Sequence, residues 1–186
     1  MKTLLREARG LGLFDDASLI HALASPPLDE QTWCPMDTAL LDEYNRFYGL
    51  QFNGVERHLA LIESTGERIT LQAFVPNHHE VRAWAVVCHG YYDHVGLYGH
   101  LIDDLLERGI AVMSFDQPGH GLSTGDRANI DDFQQYVDVI RVVHKFAAKS
   151  AGDKPLHWFG QSMGGALVME YWRQQADEKP TGEVVL

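Results

Sequence analysis

The sequence predicts an α/β domain, a mostly parallel β-sheet with helices on both faces, and three observations predict it. From Trp84 onward short apolar runs alternate with helical patterns, the order expected when each strand is followed by a helix that crosses back over the sheet. The runs themselves, such as Trp84-Ala85-Val86-Val87-Cys88, are apolar throughout, as a strand buried on both faces requires. Finally, Gly160-Gln161-Ser162-Met163-Gly164-Gly165 stands between one such run and a helix, a compact strand-to-helix turn.

Taken in order, residues 1–54 read as an N-terminal extension with helical patches. One patch lies near Ala17–Ala24 and is cut off by Pro26-Pro27. In a second, Leu40, Leu41, Tyr44, Phe47 and Tyr48 recur at helical spacing and stop before Gly49. This aromatic stripe suits a packing face against the main domain better than a ligand site. The main domain starts at Val55. His58–Glu63 and Ile69–Val75, separated by Ser64-Thr65-Gly66-Glu67, carry a strand-turn-strand signature. There follow the strand through Val86, a helix over Tyr98–Arg108, the strand Ile110–Phe115, a long helix from Ile130, the strand Leu156–Phe159 and a helix over Ala166–Gln175. Glu183-Val184-Val185-Leu186 opens another buried strand. In the long helix Phe133, Tyr136, Val137, Ile140, Val143 and Ala147 form one apolar stripe, with Asn129 available as its N-cap. The chain has no internal repeat and no low-complexity tract.

Three stretches carry chemistry. A serine between strand and helix, with glycine two residues before and two after, has the form of a nucleophile elbow. The turn is too tight for side chains at the flanking positions, and it lifts the Ser162 hydroxyl clear of the sheet at a helix N-terminus, where partial positive charge favours a developing oxyanion. Ser162 is the candidate nucleophile. Acyl transfer also needs two N–H donors aimed at the carbonyl oxygen as it becomes tetrahedral. Met163, just after the nucleophile, supplies one. Tyr91 supplies the other, because His89-Gly90-Tyr91-Tyr92-Asp93-His94 follows an earlier strand and Gly90 lets the chain turn sharply there. His89 suits a structural role better than that of general base, and His94 a surface or pocket-wall position. The third stretch, Asp116-Gln117-Pro118-Gly119-His120-Gly121-Leu122-Ser123, is a compact turn in which Asp116 accepts backbone hydrogen bonds and His120 braces the loop.

These three motifs, in this order and spacing, resemble the α/β-hydrolase fold, and within it the monoacylglycerol lipase and lysophospholipase group. The similarity runs from about Val55 to Leu186. It implies a serine carboxylic-ester hydrolase that works through an acyl-enzyme, with Ser162 as nucleophile and the Tyr91 and Met163 N–H groups as oxyanion hole, on monoacylglycerol-like or lysophospholipid-like esters, with no cofactor and no metal. Tyr91, Tyr92 and His94 are then expected along the approach to the nucleophile. Other serine hydrolases of the same fold, such as peptidases, thioesterases or lactonases, share the motifs. Dehalogenases and epoxide hydrolases are disfavoured, since such relatives carry aspartate where Ser162 stands. A non-catalytic binding module on the same fold is the reading from a different class.

In this fold the triad runs Ser, then Asp or Glu, then His. No histidine follows Ser162, and Glu170, Asp177, Glu178 and Glu183 lie in the wrong places for the acid. The catalytic acid and histidine are therefore expected outside this chain, as is the lid that shapes the pocket. The 186 residues read as the N-terminal part of a longer enzyme, a fold incomplete at its C-terminus by on the order of a hundred residues, and inactive and poorly stable alone.

Composition fits a globular domain, 45% hydrophobic and 22% charged. The formal net charge of −11 argues against nucleic acid as a partner. A small-molecule or lipid ester is the expected partner, and peripheral membrane contact through a lid stays open. Oligomeric state is not legible. Cys34 and Cys88 are far apart, and Cys88 in a core strand suits a free thiol better than a disulfide. No Cys/His spacing suggests zinc. The N-terminus is interrupted by charges too soon for a secretory h-region, and no run is long enough for a membrane span, so a cytoplasmic location is expected.

Overall fold

The computed structural model describes residues 34–35, 39–175 and 179–186. Its elements are β1 (Cys34–Pro35), α1 (Ala39–Tyr48), β2 (Val55–Ser64), β3 (Glu67–Pro76), β4 (Ala83–Cys88), a 3-10 turn (Val95–Tyr98), α2 (Gly99–Glu107), β5 (Ile110–Phe115), α3 (Phe133–Ala151), β6 (Leu156–Gly160), α4 (Met163–Gln174) and β7 (Val184–Val185). The helical patch expected near Ala17–Ala24 lies outside the described residues.

The strands form one sheet in the order β1-β2-β3-β5-β4-β6-β7. It is mixed. The β5-β4, β4-β6 and β6-β7 pairings are parallel, whereas β1-β2, β2-β3 and β3-β5 are antiparallel. Within the antiparallel half the β2-β3 pairing follows from a hairpin: Thr65 and Gly66 both take positive φ, 54° and 81°, and return β3 along β2 over the whole of its length. The parallel half follows from the helical crossovers.

Because successive residues of a strand face opposite ways, each strand feeds two cores. Trp84, Val86 and Cys88 of β4 join Met113, Phe115 and Trp158 under α3 and α4. Ala85 and Val87 join Phe74 and Val112 under α1 and α2. Helices therefore cover both faces. The stripe of α3 is the one expected, with Tyr136, Val137, Ile140, Val143 and Ala147 buried, while Phe133 is 42% exposed. The stripe of α1 packs as expected too: Leu41 and Tyr44 are buried, although Phe47 is exposed.

Four local expectations are corrected. The N-cap of α3 is Asp132, not Asn129. Its carboxylate accepts from the Gln134 N–H at 2.9 Å, while the Asn129 N–H is spent in a turn on the Asp126 carbonyl. The helix accordingly starts at Phe133 rather than Ile130. α4 starts at Met163 rather than Ala166, because Gly164 and Gly165 belong to its first turn. The segment before α1 contributes a short strand, β1, paired with Leu59 and His58. β7 forms where expected, but Val184 and Val185 are exposed, since this strand pairs on one side only among the described residues.

Candidate active site

Chain direction fixes where a site can form. From β4 the chain passes to β5 on one side of the sheet and later to β6 on the other. The loops leaving β4 and β6 thus diverge at a switch point, where a crevice opens beyond the C-terminal ends of the strands. Cys88 and Gly160, the last residues of these strands, are in register.

At the end of β6 the chain turns through Ser162, whose backbone has φ 52° and ψ −113°. A serine in this region costs about 1–3 kcal/mol and persists only where its surroundings enforce it. The enforcement is steric. A Cβ on Gly160 would lie 2.6 Å from the Cα of Gly165, and one on Gly164 would collide with the Cys88 carbonyl oxygen. That carbonyl accepts from the Gln161 N–H at 3.1 Å, which ties the turn to the end of β4. Ser162 is exposed and makes no side-chain capping bond to α4. Its hydroxyl is therefore not spent on the helix it precedes. Met163 is the first residue of α4, a position whose N–H has no intrahelical acceptor.

The loop after β4 is built from hydrogen bonds. His89 is fully buried, and its Nε2 accepts from the Gln117 N–H at 2.9 Å. The other nitrogen, Nδ1, must then carry the proton, which it donates to the Gly90 carbonyl at 2.8 Å. Burial holds the pKa of His89 down to about 3, so the ring stays neutral. With both nitrogens engaged, His89 is a brace and not a general base. The Asp93 N–H donates to the same Gly90 carbonyl at 3.1 Å. Tyr91, 46% exposed, reaches across to donate its hydroxyl proton to the Ala128 carbonyl at 2.7 Å. Tyr92 follows with φ 64° and is 66% exposed.

His94 departs from expectation. It lies in the interior, with 2% of its surface exposed, rather than at the surface or on a pocket wall. Its Nδ1 accepts from the Gly96 N–H at 3.2 Å, capping the 3-10 turn, and its ring meets Tyr48 edge to face at 4.7 Å. Burial lowers its pKa to about 4. Because Tyr44 and Tyr48 come from α1, this histidine packs the segment before residue 54 against the loop after β4.

Asp116 and His120 brace their turn as expected, and Asp116 does more. It accepts from Leu122 N–H in the turn and from Val95 N–H in the loop after β4, both at 2.8 Å, so one carboxylate joins two loops. Burial raises its pKa to about 6 in spite of those two donors. His120 is in contact with the Pro118 carbonyl through Nδ1 at 2.9 Å.

Beside Ser162 a small apolar cavity of about 210 Å³ is lined by Tyr98, Leu101, Phe159 and Leu186 among others. Cys88 also borders it, as a buried free thiol whose pKa burial pushes up. Among the described residues no three His, Cys, Asp or Glu side chains are grouped to hold a metal ion, and no helix is long and apolar enough to cross a membrane. Tyr98, whose hydroxyl meets Gly90, Asp93 and Gln161, is a site neighbour that no local sequence pattern marks.

A family profile described as serine aminopeptidase, S33, matches residues 79–186, more than half of the chain. The chain belongs to that family, within the α/β-hydrolases. It is 33% identical over 106 residues to a monoacylglycerol lipase of Mycolicibacterium smegmatis, a match covering 57% of this chain and 38% of that protein. A caffeoylshikimate esterase of Arabidopsis thaliana is 28% identical over 170 residues, covering 90% of this chain and 49% of that one. Among solved structures, a monoglyceride lipase of Saccharomyces cerevisiae superposes with a TM-score of 0.61 at 24% identity, over 72% of this chain and 44% of that chain, which speaks for the fold. The chain spans less than half the length of these relatives.

Proposed function

We propose that the natural protein carrying this chain is a serine carboxylic-ester hydrolase acting through Ser162. The observation that carries the proposal is the backbone of Ser162: a strained, exposed serine at a helix N-terminus, facing a hydrogen-bonded loop at the switch point of the sheet. In this reading Ser162 attacks the ester carbonyl, and the Tyr91 and Met163 N–H groups hold the oxygen as it becomes negative. The alcohol then leaves, and water releases the acid from the acyl-enzyme. The base and acid of the triad come from beyond residue 186, following the order of this fold. His89, His94 and His120 all have ring nitrogens committed to structure.

The proposed substrates are monoacylglycerols or lysophospholipids, a single acyl chain on a glycerol-like alcohol, as the monoacylglycerol lipase relatives suggest. The apolar lining beside Ser162 supports an acyl chain there. A second reading, an amide substrate, is favoured by the name of the matching family. Kinetics of the full-length protein on a monoacylglycerol, a lysophospholipid and an aminoacyl amide, each with a Ser162→Ala control, separate the two. We expect the highest kcat/KM on one of the esters, abolished by the substitution. Clear preference for the amide overturns the ester reading.

A further inference from the structure

Tyr98 occupies the N-cap position of α2, yet its side chain makes no capping hydrogen bond. The hydroxyl is turned toward the two loops instead. It accepts from the Gly90 N–H at 3.0 Å. Its single proton faces two acceptors, the Asp93 carboxylate at 3.0 Å and the Gln161 amide oxygen at 3.3 Å. Burial pushes the phenol up to about 12, so it stays neutral and keeps both donor and acceptor roles.

The consequence lies in peptide geometry. The Gly90 carbonyl and the Tyr91 N–H belong to one rigid plane and point opposite ways. Pinning that carbonyl from His89 and Asp93 fixes the direction of the Tyr91 N–H. Tyr98 pins the other polar group of Gly90, its N–H, and also reaches Gln161, the residue just before Ser162. Clearance between these two loops is small, since a Cβ on Gly90 would collide with the Gln161 side-chain oxygen. The tyrosine ring is anchored independently, against the core under α1 and α2.

We propose that Tyr98 is a positioning residue of the oxyanion site, and that by bonding Gly90, Asp93 and Gln161 together it sets the Tyr91 N–H against the Ser162 elbow. This rests on the serine-hydrolase reading above. Removing an oxyanion donor outright costs about 10²- to 10³-fold in kcat. Losing the group that aims the donor costs less, about 10- to 100-fold on the same scale.

The test is Tyr98→Phe in the full-length protein, which removes the hydroxyl and keeps the ring. Four results are expected together: kcat on a monoacylglycerol falls by that factor with KM nearly unchanged, affinity for a boronic acid that mimics the tetrahedral adduct falls in step with kcat, the melting midpoint falls by no more than the lost hydrogen bonds account for, and hydrogen exchange at the Gly90 amide accelerates. Asp93→Asn, whose amide oxygen still accepts the Tyr98 proton, retains most of the turnover, whereas Asp93→Leu, which leaves that proton only the longer bond to Gln161, shows a smaller loss confined to kcat. Parent-like kcat and boronate affinity in Tyr98→Phe, or in Asp93→Leu should Tyr98→Phe not fold, overturn the proposal. Fluorophosphonate labelling of the parent is measured alongside. A parent unlabelled at Ser162 overturns the serine reading, while unchanged Gly90 exchange in the variant overturns the positioning claim whatever the chemistry.

Discussion

Two loops meet beside Ser162, and different forces hold them. The elbow after β6 is held by backbone against backbone. Gly160 sits on Gly165, Gly164 sits on the Cys88 carbonyl, and neither Gly160 nor Gly164 has room for a methyl group. The loop after β4 is held by polar side chains bonding distant partners: His89 to Gln117, Tyr91 to Ala128, Tyr98 to Gly90 and Gln161. A steric constraint fails all at once when an atom is added. A polar constraint fails gradually, one hydrogen bond at a time. An atom added to the elbow should therefore cost more stability than a single hydrogen bond removed from the β4 loop.

The largest effect expected is on chemistry. Ser162→Ala removes the proposed nucleophile and should lower kcat by about 10⁶-fold, while the melting midpoint stays close to the parent because Ser162 makes no side-chain capping bond. Steady-state kinetics and a thermal melt check the two halves. Next comes the elbow itself. Gly164→Ala forces a methyl into the Cys88 carbonyl and should cost at least about 3 kcal/mol in denaturant unfolding, at the upper end for overpacking. Gly165→Ala, whose added Cβ would lie 3.1 Å from the Gly160 oxygen, should cost far less. Equal costs at the two positions would contradict the steric account.

The β4 loop should sense pH. Burial holds His89 and His94 down to about 3 and about 4, below the usual 6.5. Below pH 6.5 the unfolded chain takes up protons that these native histidines refuse, so stability falls as the pH drops from about 6.5 toward 4. Asp116 works the other way. Its native carboxyl binds a proton near pH 6, before the unfolded one near 3.8, and so recovers part of the loss between those values. Two histidines outweigh one carboxyl, and the urea midpoint should be lower at pH 4.5 than at pH 7. His94→Asn keeps a side-chain acceptor for the Gly96 N–H and should flatten that dependence; a midpoint that rises on acidification contradicts the assignment. The smallest effect belongs to Tyr91→Phe, which loses one hydrogen bond to Ala128 and should cost about 1 kcal/mol in the same unfolding assay.

The same contrast explains what was legible in the sequence. Steric needs are written locally, as glycine at fixed spacing, so the elbow, the Thr65-Gly66 hairpin and the alternation of strands with helices could all be read. Polar restraints join residues far apart in the chain and leave no local trace. Nothing near Tyr98 announces Gln161, and nothing near Tyr91 announces Ala128. His94 was misread for that reason, because its neighbours are Tyr44 and Tyr48, some fifty residues earlier. The N-cap of α3 was misread for a different one. Asn129 and Asp132 are both good caps, and it is Asp132 that stands directly before the first helical residue, Phe133, with its carboxylate on the Gln134 N–H.

The most direct measurement is covalent labelling. The full-length protein is treated with a fluorophosphonate, digested, and mapped by mass spectrometry. The adduct should fall on Ser162, with loss of esterase activity in proportion to labelling. An adduct on another residue, or full activity with Ser162 unmodified at saturating reagent, would contradict the assignment of this strained serine as the nucleophile.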